Sequence, residues 1–290
     1  LNESLGNSLI LVGCAIWAVA LSFFKIAEKH IDSSQINLIK NSVGLIIVSI
    51  WMFSTGGWNP GDVNLAWQLM FVSGVVGMAV GDVFFLSAIG KLGVGKATSM
   101  ALLTPVLTLI LEFFLLSRIP SPGSFSGMVL VLVGVFYLNG PVKNVSKEGF
   151  RLVFFACLFV AIAQVLARWS FDLNPDLSLG TSAFFRVLGG VLGMVVIMGK
   201  GLKRKYLSAI SKGPHLKPLM LGSFLGTGIG MCIYQTASKL TTATQLSFLG
   251  TTTPIFAIPI AWLIAKEVPE KRVIVGALIA IVGVSLIFLL

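Results

Sequence analysis

The stretch Ser126-Gly127-Met128-Val129-Leu130-Val131-Leu132-Val133-Gly134-Val135 has a counterpart in Val275-Gly276-Ala277-Leu278-Ile279-Ala280-Ile281-Val282-Gly283-Val284. Both place two glycines seven residues apart around an apolar run. Gly127 and Gly276 are 149 residues apart, as are Gly134 and Gly283, and as are Pro105 and Pro254. Toward the start of each copy the interval shortens, to 146 between Lys40 and Arg186 and to 143 between Lys25 and Arg168. Loops of unequal length between matched helices produce such a drift. The chain reads as a tandem duplication, with residues 1–141 and 149–290 as its two copies. Each copy has five apolar runs, an odd number, so the second enters the membrane from the other side. The expected fold is an all-α polytopic membrane protein of ten helices in two inverted five-helix repeats.

Composition supports a membrane setting. The chain is 56% hydrophobic and only 11% charged, with a mean hydropathy of +0.96. A soluble domain carries about 25% charged residues. About 20 apolar residues cross the hydrocarbon core of a bilayer. Ten runs approach or meet that length, at 6–27, 35–54, 65–87, 94–117, 124–140, 149–170, 179–199, 216–238, 242–265 and 272–290. Residues 9–26 are long enough to span, and no small-residue cleavage site follows them.

The net charge of +10 does not indicate nucleic acid. Alternating the loops puts Lys29, Lys91, Lys96, Lys143, Lys147, Arg151, the run from Lys200 to Lys217, Lys266, Lys271 and Arg272 on one face. Arg118 and Lys239 fall on the other. That bias is the positive-inside pattern, and it places the basic face in the cytoplasm and both termini outside. The basic run would meet anionic lipid headgroups. Cys14, Cys157 and Cys232 all lie in apolar runs and are not spaced as metal ligands. They read as small buried hydrophobes. No histidine constellation, metal site or cofactor motif stands out; Gly90 to Ala97 mimics a phosphate loop but lacks the hydroxyl that a magnesium ion needs.

Polar groups inside the spans carry the functional expectation. Pro105 follows Thr104 in span four, and Pro254 follows Thr253 in span nine. Proline removes a backbone donor and frees a carbonyl one turn back. A matching break in two inverted halves points to a binding site. Lys25, Lys40 and Asp82 fall toward the basic face; Glu112, Arg168 and Arg186 fall toward the other. An intramembrane charge costs on the order of 3 kcal/mol by insertion scales, so each of the six is a candidate for substrate passage or gating, or else an anchor of a helix end. Lys25 and Lys40 are expected near Asp82, and Arg168 and Arg186 near Glu112. Trp17, Ser99, Gln164, Gln235 and Gln245 are further candidates to line a cavity, with Tyr137 and Tyr234 behind them as aromatic residues near span ends.

With these residues in view, the chain resembles a drug/metabolite transporter of the EamA-like group over nearly its whole length. That repeat carries a tryptophan and then a lysine in its first helix, here Trp17 and Lys25, and an arginine early in its second, here Arg186 in one copy and Lys40 in the other. The order Lys239-Leu240, Pro254, Lys266-Glu267, Gly276, Gly283 follows the pattern of the later helices, and Lys91-Leu92, Pro105, Gly127, Gly134 repeats it. Arg118 stands where the first copy should have glutamate, and Val160 where the second should have tryptophan. The resemblance implies a bacterial or archaeal plasma-membrane carrier, a monomer or dimer that moves a small metabolite such as an amino acid by alternating access, with a proton or counter-substrate as coupling partner. It also implies cytoplasmic termini, against the charge count. An organic-anion antiporter of the sugar-phosphate or nucleotide-sugar kind is the alternative, favoured by cations outnumbering carboxylates. A non-transport membrane protein would need no polar cavity. An enzyme would need a convergent catalytic set, and Asp82 and Glu112 are expected near opposite faces.

Overall fold

The structure is a computed structural model. It describes residues 2–55, 65–92, 97, 100–139, 146–211, 213–253, 255–256 and 271–289. Among them every regular element is helical. Six helices are long and apolar enough to cross a membrane: Glu3–Phe24, Ser33–Ser54, Leu65–Ala88, Lys147–Leu173, Leu179–Gly201 and Leu216–Leu240. They are spans one, two, three, six, seven and eight of the sequence reading. Shorter apolar helices, Leu103–Leu116, Pro122–Tyr137 and Ile274–Ile287, fall in spans four, five and ten. Span nine is described chiefly as the helix Ala243–Gly250. The expected Ser99 and Pro254 lie outside the described residues, as does the side chain of Lys25.

Local chemistry fixes the helix starts. Asp32 caps Ser33–Ser54 and Thr242 caps Ala243–Gly250, each with a glutamine three residues on that returns a bond to the cap backbone. Ser146 and Ser178 cap the starts of spans six and seven. The helices are apolar outside and partly polar inside. Ile46, Ile50, Phe53, Phe114 and Val196 are exposed, whereas Asn37, Asn41, Thr108, Glu112 and Gln235 are fully buried. A lipid solvent favours that inversion of the soluble pattern.

The two halves are related by an approximate two-fold axis across the helices. Span five packs on span ten, and a Cβ built on Gly127 would lie 2.7 Å from the Gly283 carbonyl oxygen. A Cβ on Gly134 would lie 2.7 Å from that of Gly276. The first glycine of each copy thus meets the second glycine of the other, which only antiparallel helices allow. Spans two and seven cross the same way, with Met52 against Gly180 and Asn41 against Gly190. Elsewhere the contacts come in matched pairs. Gly77 meets Ala163 while Gly226 meets Ala20, and Gly44 meets Thr227 while Gly190 meets Met78. The halves are interleaved: span one packs on span eight, and span six on span three. Small residues let these backbones approach closely where no hydrophobic force draws helices together.

One feature of both halves lies beyond the pattern of apolar runs. Span three passes through a π-helix at Gly74–Gly81, and span eight through one at Phe224–Ile229. The segments occupy matching positions in the repeat. A π-helix widens the backbone and weakens its own hydrogen bonding, and it recurs at functional sites. Trp17 donates its indole N–H to the Gly226 carbonyl at 3.1 Å, which supplies that widened stretch with an outside partner.

Candidate functional site

The helices of spans four and nine are interrupted at matching places. Span four turns at Ala101–Leu102 before the helix Leu103–Leu116 begins, so Pro105 sits in a first helical turn, where its missing N–H leaves no bond broken. The helix Ala243–Gly250 ends in a turn at Thr251–Thr252. Two cysteines lie against the carbonyls of these turns, which the turns' own N–H and hydroxyl groups already partner at Ala101, Leu249 and Gly250. The Cys14 thiol lies 3.5 Å from the Leu249 oxygen and 3.7 Å from that of Gly250. The Cys157 thiol lies 4.0 Å from those of Met100 and Ala101. These contacts match through the repeat. Cys14 and Cys157 are small buried members of the hydrophobic core, as the sequence leads one to expect, and each adds a weak S–H donor beside a helix end.

Beside these breaks Thr108, Gln164 and Ser247 meet. The Thr108 hydroxyl donates to the Thr104 carbonyl at 2.9 Å and lies 3.2 Å from Gln164 Oε1 and 3.3 Å from Ser247 Oγ. Spans four, six and nine thus share a small buried polar cluster. Thr104 takes part through its backbone, and Thr253 bonds back to Gly250 within its own turn at 2.8 Å.

Near the face opposite the basic loops, a chain of polar contacts crosses from one half to the other. The buried Glu112 carboxylate accepts the N–H groups of Ala243 at 3.0 Å and Thr244 at 2.6 Å. A carboxylate at a helix N-terminus satisfies open donors and meets the positive end of the helix dipole. Arg118 lies 3.9 Å from Glu112 and 2.9 Å from Asp172. Asp172 also binds Arg168 at 2.9 Å, and Arg168 donates to the carbonyls of Ser238, Lys239 and Thr241. Gln245 donates to Glu3 at 2.6 Å. Glu3, Glu112, Arg118, Thr244 and Gln245 line a recess of about 440 Å³ together with Asn7 and Ser124.

The expected grouping around Glu112 is therefore divided. Arg168 joins this network through Asp172, whereas Arg186 contacts none of these carboxylates. Asp172 is absent from the sequence-based candidates; the one signal for it is its place one helical turn after Arg168, at the spacing that favours ion pairs. Arg118, in sequence a loop charge at the place where the repeat has glutamate, here joins two carboxylates.

The remaining cations are matched in the repeat and unlike in surroundings. Lys40 pairs with Asp82 at 2.6 Å and donates to Asn41 at 3.2 Å. Its counterpart Arg186, 5% exposed, donates to Gln235 Oε1 at 3.0 Å and lies 4.6 Å over the Tyr234 ring. Tyr234 in turn packs on Trp17 at 5.6 Å between ring centres. Among the described residues, Arg186 Nε and the Tyr234 hydroxyl have no hydrogen-bond partner.

Residues 4–140 and 148–289 each match the EamA-like transporter family. The chain belongs to that family. Two curated proteins are similar to the chain. An uncharacterized transporter of Synechocystis is 25% identical over 237 residues, 77% of this chain and 66% of that protein. A chloroplastic WAT1-related protein of Arabidopsis thaliana is 23% identical over 254 residues, 84% of this chain and 60% of that protein. The chain thus spans two thirds or less of the length of these relatives. A solved crystal structure superposes with a TM-score of 0.75 over 97% of this chain and 95% of that one, at 14% identity, which shows a shared fold. Family, fold and apolar helices together make this EamA-like protein a multi-pass membrane protein of a transporter family rather than an enzyme family.

Proposed function

We propose that the chain is a secondary transporter that carries a small metabolite, an amino acid or a related compound, by alternating access. The halves 1–141 and 149–290 are its moving units, and the plasma membrane of a bacterium or archaeon is its site. A proton or counter-substrate supplies the coupling. The observation that carries this reading is that the contacts near the non-basic face run between halves. Glu112, Arg118 and Glu3 come from the first, and Ala243, Thr244, Asp172 and Gln245 from the second. Such bonds hold one mouth shut and must break when it opens. The interrupted spans four and nine provide places for the backbone to flex, and the buried polar residues around them provide a path.

Transport from proteoliposomes tests it. A panel of amino acids, sugar phosphates and nucleobases is loaded inside, and efflux is followed with and without each compound outside. Saturable flux that is accelerated by exchange is expected. Flux no greater than that of protein-free vesicles for every compound would contradict the reading.

A further inference from the structure

We propose that Arg186, with Gln235 and Tyr234, forms the seat for the carboxylate of the transported ligand. The inference rests on the transport reading and adds the chemical class that this site recognises. Comparison within the repeat carries it. Lys40 and Arg186 occupy the same place in the two copies, and so do Asp82 and Met231, 149 residues apart. Lys40 has its anion in Asp82 at 2.6 Å. Arg186 has a methionine where that anion would be. Met231, Tyr234 and Gln235 are spaced three and four apart, on one face of the helix Gly230–Leu240. Two of the three touch the guanidinium.

What Arg186 has instead is a neutral amide oxygen and the face of a ring. A buried cation held only by neutral groups is poorly compensated. Its Nε and the Tyr234 hydroxyl, both on residues more than nine-tenths buried, are two donors without an acceptor among the described residues. A carboxylate supplies the missing charge and accepts two hydrogen bonds from a guanidinium in a planar fork. The other cations of this side are engaged elsewhere, Arg118 and Arg168 on Asp172 and Lys239 on the Leu177 carbonyl. One cation fits a monoanion better than a phosphate dianion. The rings of Tyr234 and Trp17 beside it suit an apolar body on the same ligand.

Thermal stability of the purified full chain in detergent tests the seat. The probes are alanine, leucine, phenylalanine and aspartate, the amide of each, and inorganic phosphate with glucose 6-phosphate. At least one amino acid should stabilise the protein while its amide does not. Arg186→Gln should weaken that response at least tenfold. Met231→Asp, which builds the first half's ion pair into the second, should do the same through an internal anion, so the result does not hang on one variant. Equal binding of acid and amide, no shift with any carboxylate, or a response that survives both substitutions would overturn the proposal. A response to phosphate alone would replace carboxylate with phosphate and overturn it too. The flux assay separates the two levels. Flux confined to neutral or cationic compounds sinks the carboxylate seat and leaves transport standing. Carboxylate binding through Arg186 with no flux of any compound sinks transport and leaves the seat.

Discussion

Lys40 and Arg186 stand about 10 Å along their helices from opposite ends of the bundle, at matching positions of two copies of one fold. One is closed off by Asp82 inside its own half, and the other is left with Gln235 and a tyrosine ring. The duplication holds geometry nearly constant, so the difference isolates chemistry. A buried charge that already has its counter-ion is structure; one that lacks it is poised for a partner that comes and goes. The same contrast recurs in the packing, where one half tolerates a side chain and the other does not.

The largest expected effect comes from that packing. A Cβ on Gly74 would lie 1.8 Å from the Arg186 carbonyl oxygen, against backbone that cannot rotate away. Gly74→Ala must force spans three and seven apart, at a cost of about 3 kcal/mol or more. Its repeat counterpart Ser223 already carries a side chain, so Ser223→Ala should lower the unfolding temperature far less. Similar losses at the two positions would break the comparison.

Next come the two cations. Lys40→Met strands Asp82 and should cost a few kcal/mol, as losing one partner of a shielded pair does. Arg186→Met removes a charge that had no counter-ion and should cost less by about 1–2 kcal/mol. Thermal unfolding of both variants without ligand checks the order, and Arg186→Met being the more damaging of the two would contradict it.

Glu112→Gln should follow. The carboxylate accepts two backbone N–H groups, whereas an amide turns one of those positions into a donor facing a donor. The loss of about 1–3 kcal/mol weakens the tie between halves, and a cysteine placed at Ser124 should then react faster with a reagent added from that face. The smallest effect is expected for Trp17→Phe. It removes one hydrogen bond to Gly226, worth about 1 kcal/mol, and the matching position in the other half is Val160, which makes none.

Much of the architecture was legible in the sequence because glycine and proline spacing survives duplication. The pairs Gly127/Gly134 and Gly276/Gly283 mark the duplication in the sequence; that they also meet each other in an antiparallel contact is visible only in the fold. The π-helices were not legible, since nothing in the recurring glycines of these spans, Gly74, Gly77 and Gly81 in one and Gly222, Gly226 and Gly230 in the other, distinguishes five-residue from four-residue hydrogen bonding. The site was readable only in part. Residue type and depth marked Lys40, Asp82, Glu112, Arg168 and Arg186, but which charge meets which depends on how spans interleave. That is why Arg168 was expected on Glu112 and instead shares Asp172 with Arg118. The burial of Cys14 and Cys157 is legible from their apolar runs, whereas the carbonyls beside their thiols lie far away in sequence and only folding brings them near.

Movement of the halves against each other is the central claim, and spin-label distances in reconstituted vesicles test it most directly. One pair goes on Ser126 and Asp176 near the non-basic mouth, and the other on Lys29 and Lys217 near the basic one, in a background without native cysteines. The account predicts that a transported compound shifts the two distance distributions in opposite senses, and that Glu112→Gln lengthens the first pair and shortens the second. Distances that stay fixed, or that lengthen together, in vesicles that transport would contradict it.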